Sequence, residues 1–79
     1  MTDTVVSSLN RIEGQVRGVR RMYEEGRSCE QIAQQISAVQ KALTRVGVSI
    51  LTDKAVECVE QKKGKHEVEK VMESLVKIA

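Results

Sequence analysis

An all-α chain, built as a three-helix protomer with a long second helix, is predicted by three observations. Proline is absent from all 79 residues, and Val, Glu, Gln, Lys, Arg, Ala and Ile dominate around five glycines. A chain without its strongest helix breaker favours helix throughout. Apolar residues recur at three- and four-residue steps, the period of helices that each bury one face. The core open to such helices is small and aliphatic, because 41% of residues are hydrophobic and Tyr23 is the single aromatic. Domains this short bury only about 60% of their chain surface, so association with further copies is a common remedy.

Val5, Leu9, Ile12, Val16, Val19 and Tyr23 predict a first amphipathic helix from Thr4 to Glu25. Gly26 ends it, and Ser28 is placed to cap the next helix with Gln31 completing a capping box. The second helix carries Cys29, Ile32, Ile36, Val39, Leu43, Val46, Ile50, Lys54 and Cys58 in one stripe, with Ala33, Gln40 and Gly47 beside it. So long a stripe reads as an interhelical seam, and the small flanking residues leave room for a neighbouring helix. The polar cluster Gln61-Lys62-Lys63-Gly64-Lys65 breaks the pattern, and a short third helix follows with Val68, Val71, Met72, Leu75 and Val76 on its apolar face. Residues 1–79 form one domain without an internal repeat or a linker. Helices of about 22, 33 and 13 residues cannot cover the middle one within a single protomer, so the spare seam needs a partner chain.

The two cysteines lie 29 residues apart. At 100° per residue they share a helical face to within about 20°, yet at 1.5 Å rise they are about 44 Å apart. A disulfide needs Cα atoms within about 7 Å. Shared chemistry must therefore join two chains whose second helices run antiparallel, so that Cys29 of one meets Cys58 of the other. The amino end has no charged and apolar leader pattern, and no apolar run approaches the roughly 20 residues that span a bilayer. A cytoplasmic protein with no membrane partner is the expectation, in which cysteines are reactive, metal-binding or merely buried rather than structural bridges.

The run Leu9-Asn10-Arg11-Ile12-Glu13-Gly14-Gln15-Val16-Arg17-Gly18-Val19, then Cys29, then Gln35-Ile36-Ser37-Ala38-Val39-Gln40-Lys41-Ala42-Leu43 resembles the copper-sensitive operon repressor family, over roughly residues 8 to 76. The resemblance implies an all-α fold and a homotetramer made of two antiparallel dimers. It also implies operator double-stranded DNA as partner, bound without a helix-turn-helix. Copper sensors of that family hold Cu(I) with a Cys and a His-x-x-x-Cys pair drawn from two protomers. Here the two cysteines are Cys29 and Cys58, and the histidine position is Lys54. An ammonium has no lone pair and repels the ion. The one histidine, His66, lies beyond the basic turn and reads as a solvated residue. Nickel and cobalt sensing needs several further nitrogen or oxygen ligands, and the formaldehyde sensors need an amino-terminal proline.

What remains is similar to the persulfide-sensing branch of the family. Its effectors are low-molecular-weight persulfides or polysulfides, and it needs no resident cofactor. The chemistry also suits the residues. Lys54 lies one turn before Cys58, where a cation favours the nucleophilic thiolate, and Cys29 sits at the positive end of a helix dipole. A thiolate takes the outer sulfur of a persulfide, and the facing cysteine resolves it into an interprotomer di-, tri- or tetrasulfide bridge. Cys29 is the expected attacker and Cys58 the resolver. Three bland alternatives stand beside this: each cysteine as a small hydrophobe, Lys54 as a snorkelling residue, and Cu(I) held linearly by the two thiolates.

For DNA, Arg17, Arg20 and Arg21 gather on one side of the first helix, Arg11 lies nearly two turns earlier, and Lys41 with Arg45 form an i, i+4 pair on the second. Such cations suit phosphates. The alternative is a solvated face paired with Glu13, Glu24 and Glu25. Gly14 and Gly18, four apart, are expected to let helices pack closely. An enzyme is not expected: the chain offers no C-x-x-C motif and no acid or base beside Cys29 except Glu30. A thiol-redox enzyme and a helical scaffold protein are the remaining classes.

Overall fold

The computed structural model describes residues 2–62 and 64–79, with burial from Thr4 onward; Lys63 of the basic cluster lies outside the described residues. Three helices follow one another, α1 at Thr2–Glu24, α2 at Cys29–Glu60 and α3 at Lys65–Ile78. No strand occurs among the described residues. The all-α expectation holds, with α1 running from Thr2 to Glu24 rather than from Thr4 to Glu25.

Local chemistry sets the helix ends. Gly26 takes φ +70°, a conformation cheap only for a residue without Cβ. Its N–H donates to Tyr23 O and the Arg27 N–H to Met22 O, the paired bonds of a Schellman stop. Two residues later the Ser28 Oγ accepts from the Gln31 N–H at 3.2 Å, while the Ser28 N–H donates back to Gln31 Oε1 at 3.4 Å. This is the capping box predicted from the spacing. The far end of α2 stops similarly but with a lysine in the left-handed position, Lys62 at φ 55°, where a Cβ is strained. Gly64 then caps α3 in extended backbone without a side-chain hydrogen bond.

The chain divides into two units, Met1–Leu43 and Thr44–Ala79, the division falling inside α2. In the first, Ile12 is buried, and Val5, Leu9, Val19 and Met22 of α1 with Ile32 and Val39 of α2 are half-buried. In the second, Val46 and Cys58 are buried, and Ile50, Leu51 and Ala55 of α2 with Val68, Val71 and Leu75 of α3 are half-buried. The Ile78 Cδ1 lies 2.8 Å from the place a Cβ on Gly47 would occupy. Gly47 thus gives α3 its close approach to α2, as its place beside the stripe predicted.

Within the chain, Val16, Tyr23, Gly14 and Gly18 depart from expectation, and the α2 stripe is left partly open, as the expected seam is. Tyr23 is 77% exposed, and Met22 takes the half-buried position at the last turn instead. Gly14 and Gly18 do not mediate close packing. A Cβ at Gly18 would meet nothing within 4 Å, and one at Gly14 only the Arg17 Nη2 at 3.8 Å. The α2 stripe is not uniformly covered. Ile32, Val39 and Val46, seven apart, are half-buried or buried, whereas Cys29, Ile36 and Leu43, the other heptad line, are exposed. Up to Leu43 the first line is covered and the second is open; at Ile50, the next member of the second line, the side chain is half-buried.

The strained stop at Lys62 generates a prediction. Lys62→Gly removes the Cβ penalty at a left-handed residue and should stabilise the fold by about 1 kcal/mol, read as a rise in the chemical or thermal unfolding midpoint.

Candidate thiol site and cationic surface

Both cysteines are free thiols, Cys29 exposed and Cys58 buried. Cys29 is the first residue of α2, directly after the Ser28 cap, so its N–H and that of Glu30 have no acceptor within the helix. The turn that delivers it is well fixed. Gln31 Oε1 accepts from the Arg27 Nε at 3.1 Å as well as from Ser28, and Arg27 pairs with Glu25 at 3.6 Å. The positive end of the helix dipole lies at this place, with Glu30 in the same turn.

Cys58 lies in the wall of a cleft of about 280 Å³ between α2 and α3. Leu51 and Val71 line it with apolar surface, and Lys54 and Lys70 bring two ammonium groups, Glu57 and Glu67 two carboxylates. The Lys54 Nζ donates to Glu57 Oε2 at 3.3 Å, and the Gln61 Nε2 donates to Glu57 Oε1 at 3.3 Å. Lys54 therefore stands beside Cys58 as expected, but with much of its charge answered by Glu57. Both partners are largely solvated, so the pair contributes well under about 1 kcal/mol to stability. Its interest is electrostatic.

Lys70 is a residue that sequence reasoning missed. The available signal was the line Glu67, Lys70, Val71 and Ser74, at steps of three, one and three along one side of α3; only the apolar line through Val68 and Met72 was read. Ser74 Oγ donates to the Lys70 carbonyl at 3.0 Å. His66 is exposed at the second position of α3 and does not line the cleft.

The proposed phosphate-facing cations are all exposed: Arg11, Arg17, Arg20, Arg21 and Lys41 in the first unit and Arg45 in the second. Arg20 pairs with Glu24 at 3.5 Å. Among the described residues no ion pair within 4.0 Å engages Arg11, Arg17, Arg21, Lys41 or Arg45. These cations are thus mostly uncommitted, and the pairing with Glu13, Glu24 and Glu25 is limited to Arg20.

Among the described residues no three His, Cys, Asp or Glu side chains converge to hold a metal. The donor set does not suit a three-ligand copper site either, since the Lys54 ammonium offers no lone pair and is tied to Glu57.

A three-helix chain of this design matches the metal-sensitive transcriptional repressor family over residues 2–78, and the chain belongs to that family. Over 57 residues it is 49% identical to the copper-sensing transcriptional repressor CsoR of Bacillus subtilis (strain 168), across 72% of this chain and 56% of that protein. The copper-sensing transcriptional repressor RicR of Mycobacterium tuberculosis (strain ATCC 25618 / H37Rv) is 44% identical over 57 residues, across 72% of this chain and 59% of its own length. The match thus spans less than two thirds of either relative. Among solved structures, the nickel-responsive transcriptional regulator InrS superposes with a TM-score of 0.71 at 35% identity, covering 99% of this chain and 88% of that one. These relatives are named as regulators of transcription, none as an enzyme. No helix among the described residues is long and apolar enough to cross a membrane.

Ser28 holds the turn that presents Cys29. Ser28→Ala should cost about 1 kcal/mol and fray the first turn of α2, seen as faster amide exchange at Gln31 and Ile32, whose N–H groups donate to Ser28, in hydrogen-exchange NMR.

Proposed function

We propose that the chain is a cytoplasmic repressor that binds operator DNA as a tetramer of two antiparallel dimers, and leaves it when Cys29 and Cys58 of the partner subunit become bridged by sulfur. One observation carries the reading. Where the family's copper sensors need a histidine between two cysteines, this chain has Lys54, beside Cys58 and paired with Glu57. A free thiol at Cys29 and a second, Cys58, beside two ammonium groups suit sulfur transfer better than a metal.

The steps balance without an outside oxidant. The Cys29 thiolate attacks the outer sulfur of a persulfide R–S–SH; the S–S bond breaks, R–S⁻ leaves and Cys29 holds the sulfane sulfur as a persulfide. The thiolate of Cys58 of the partner subunit then attacks the Cys29 sulfur, the disulfide closes and HS⁻ departs, carrying the electron pair. If that cysteine has itself taken up a sulfur, its persulfide makes the same attack and the bridge is a trisulfide. Exposure of Cys29 and burial of Cys58 support Cys29 as the attacker. Lys54 and Lys70 bring two cations to the cleft that Cys58 lines. The uncovered line of α2, with Ile36 at 42% and Leu43 at 51% exposure, supports an antiparallel helical partner. A crosslink across such a seam needs to bias two conformations by only about 1–3 kcal/mol to switch affinity for DNA.

The copper-sensing names of two relatives favour a second reading, Cu(I) held by the two thiolates. The deciding measurement is non-reducing intact mass spectrometry of the reduced protein after separate exposure to an organic persulfide, hydrogen peroxide and Cu(I). Binding to the promoter fragment upstream of its own gene is followed in parallel. Covalent dimers heavier by whole sulfur atoms, with DNA released, are expected from the persulfide; a tight Cu(I) complex that releases DNA while persulfide changes neither mass nor binding would overturn the proposal.

The cationic residues have their own test. Arg17→Ala and Arg45→Ala should weaken binding to specific and unrelated duplexes alike, and should flatten the plot of log affinity against log salt by about 1 for each phosphate left without its arginine.

A further inference from the structure

We propose that α3 is a gate over Cys58, docked weakly enough to lift, so that the two thiols react in a fixed order with Cys29 first. The consequence for sulfur transfer rests on the function proposed above; the gate itself does not.

The thiols differ in access before they differ in anything else. Within the single protomer Cys58 is 9% exposed, and Cys29 is exposed at the start of α2. Thiolate displacement at sulfur needs the attacking atom, the attacked atom and the leaving group in line, a footprint that so little exposed surface does not offer. The cover on that side comes from α3, which contributes Lys70, Val71 and Ser74 to the cleft that Cys58 lines.

That cover is lightly held. No residue of α3 is buried, and Met72 and Val76 are 53% and 79% exposed. Among the described residues no hydrogen bond or ion pair ties α3 to α2; its polar contacts run within itself or to the turn before it. Half-buried Val68, Val71 and Leu75 and the contact of Ile78 at Gly47 do the holding. The turn that feeds α3 is also poorly built, with Lys62 in a left-handed conformation and Gly64 capping the helix with no side chain. A 14-residue helix is marginal by itself in water, and an element with few buried apolar contacts opens at the low end of a protein's range of local stabilities. Burial of the nucleophile and weak docking of its cover together make a gate.

In the reduced protein a reagent therefore meets Cys29 first, and Cys58 answers only when α3 has lifted. The test is site-resolved alkylation of the reduced full chain with iodoacetamide under native conditions, followed by peptide mass spectrometry. Cys58 should be labelled at least tenfold more slowly than Cys29. Leu75→Ala, which loosens α3 without altering the residues that line the cleft, should speed Cys58 several-fold and leave Cys29 unchanged. Gly64→Ser, which adds a cap where a Cβ meets nothing within 4 Å, should slow Cys58 about twofold. Equal rates in the parent chain, or a Cys58 rate that neither variant moves, would overturn the gate. Should Leu75→Ala fail to fold, Gly64→Ser keeps the test decisive. No sulfur donor takes part, so a gated Cys58 in a protein that persulfide does not bridge would sink the sensor and leave the gate standing.

Discussion

The second helix carries apolar side chains on more than one side, and a 79-residue chain has only enough of itself to cover part of them. Ile32, Val39 and Val46 find cover, while Cys29, Ile36 and Leu43 face outward. Most other features follow from this shortage of self. With Ile12, Val46 and Cys58 as its buried residues, the chain gains little of the roughly 1.5–3 kcal/mol that each fully buried aliphatic side chain contributes. A second open groove, lined by Val56, Val59, Val68 and Met72, adds to the deficit. Stability and assembly are thus one problem for this protein, and a thiol placed on the open line is placed where another chain must come.

The two thiols occupy opposite ends of that economy. Cys29 belongs to the open line and is held by a hydrogen-bonded turn in which Arg27, Ser28 and Gln31 all take part. Cys58, on the same face about eight turns further on, is covered where α3 lies against α2, and shares its cleft with two lysines and two glutamates. One cysteine has a rigid mount and free access; the other has a loose cover and a charged surround. Such asymmetry suits a pair whose members must act in sequence, and it arises from helix termini and packing without any dedicated cleft-forming domain.

Much of the fold was legible because it is local. The Gly26 stop, the Ser28–Gln31 box and the three- and four-residue steps of α2 each depend on residues within a turn or two of one another, and the structure realises them as read. What the sequence concealed depends on which of several equivalent helical positions finds a neighbour. Tyr23 and Met22 fit the period of α1 almost equally, at steps of four and three from Val19, and the structure half-buries Met22. Gly14 and Gly18 look like a packing motif only if another helix arrives, and within the chain none does. At the site, Cys58 and Lys54 were visible as an i, i+4 pair, but Glu57 was not weighted as Lys54's partner. Lys70 shares one side of α3 with Glu67, Val71 and Ser74, but that this side meets Cys58 is set by how α3 folds back on α2, a tertiary fact the helical line does not specify.

Tyr23 has a practical side. It is the single aromatic residue, the chain has no tryptophan, and at 77% exposure its ring lies in water. The protein is consequently almost blank in near-ultraviolet absorption, fluorescence and near-ultraviolet circular dichroism. Concentrations taken at 280 nm will be poor, and loss of tertiary structure will pass unseen by its intrinsic emission. The same blankness is an asset: a tryptophan installed at any chosen position becomes the one strong fluorophore in the protomer, reporting its own surroundings against a dark background.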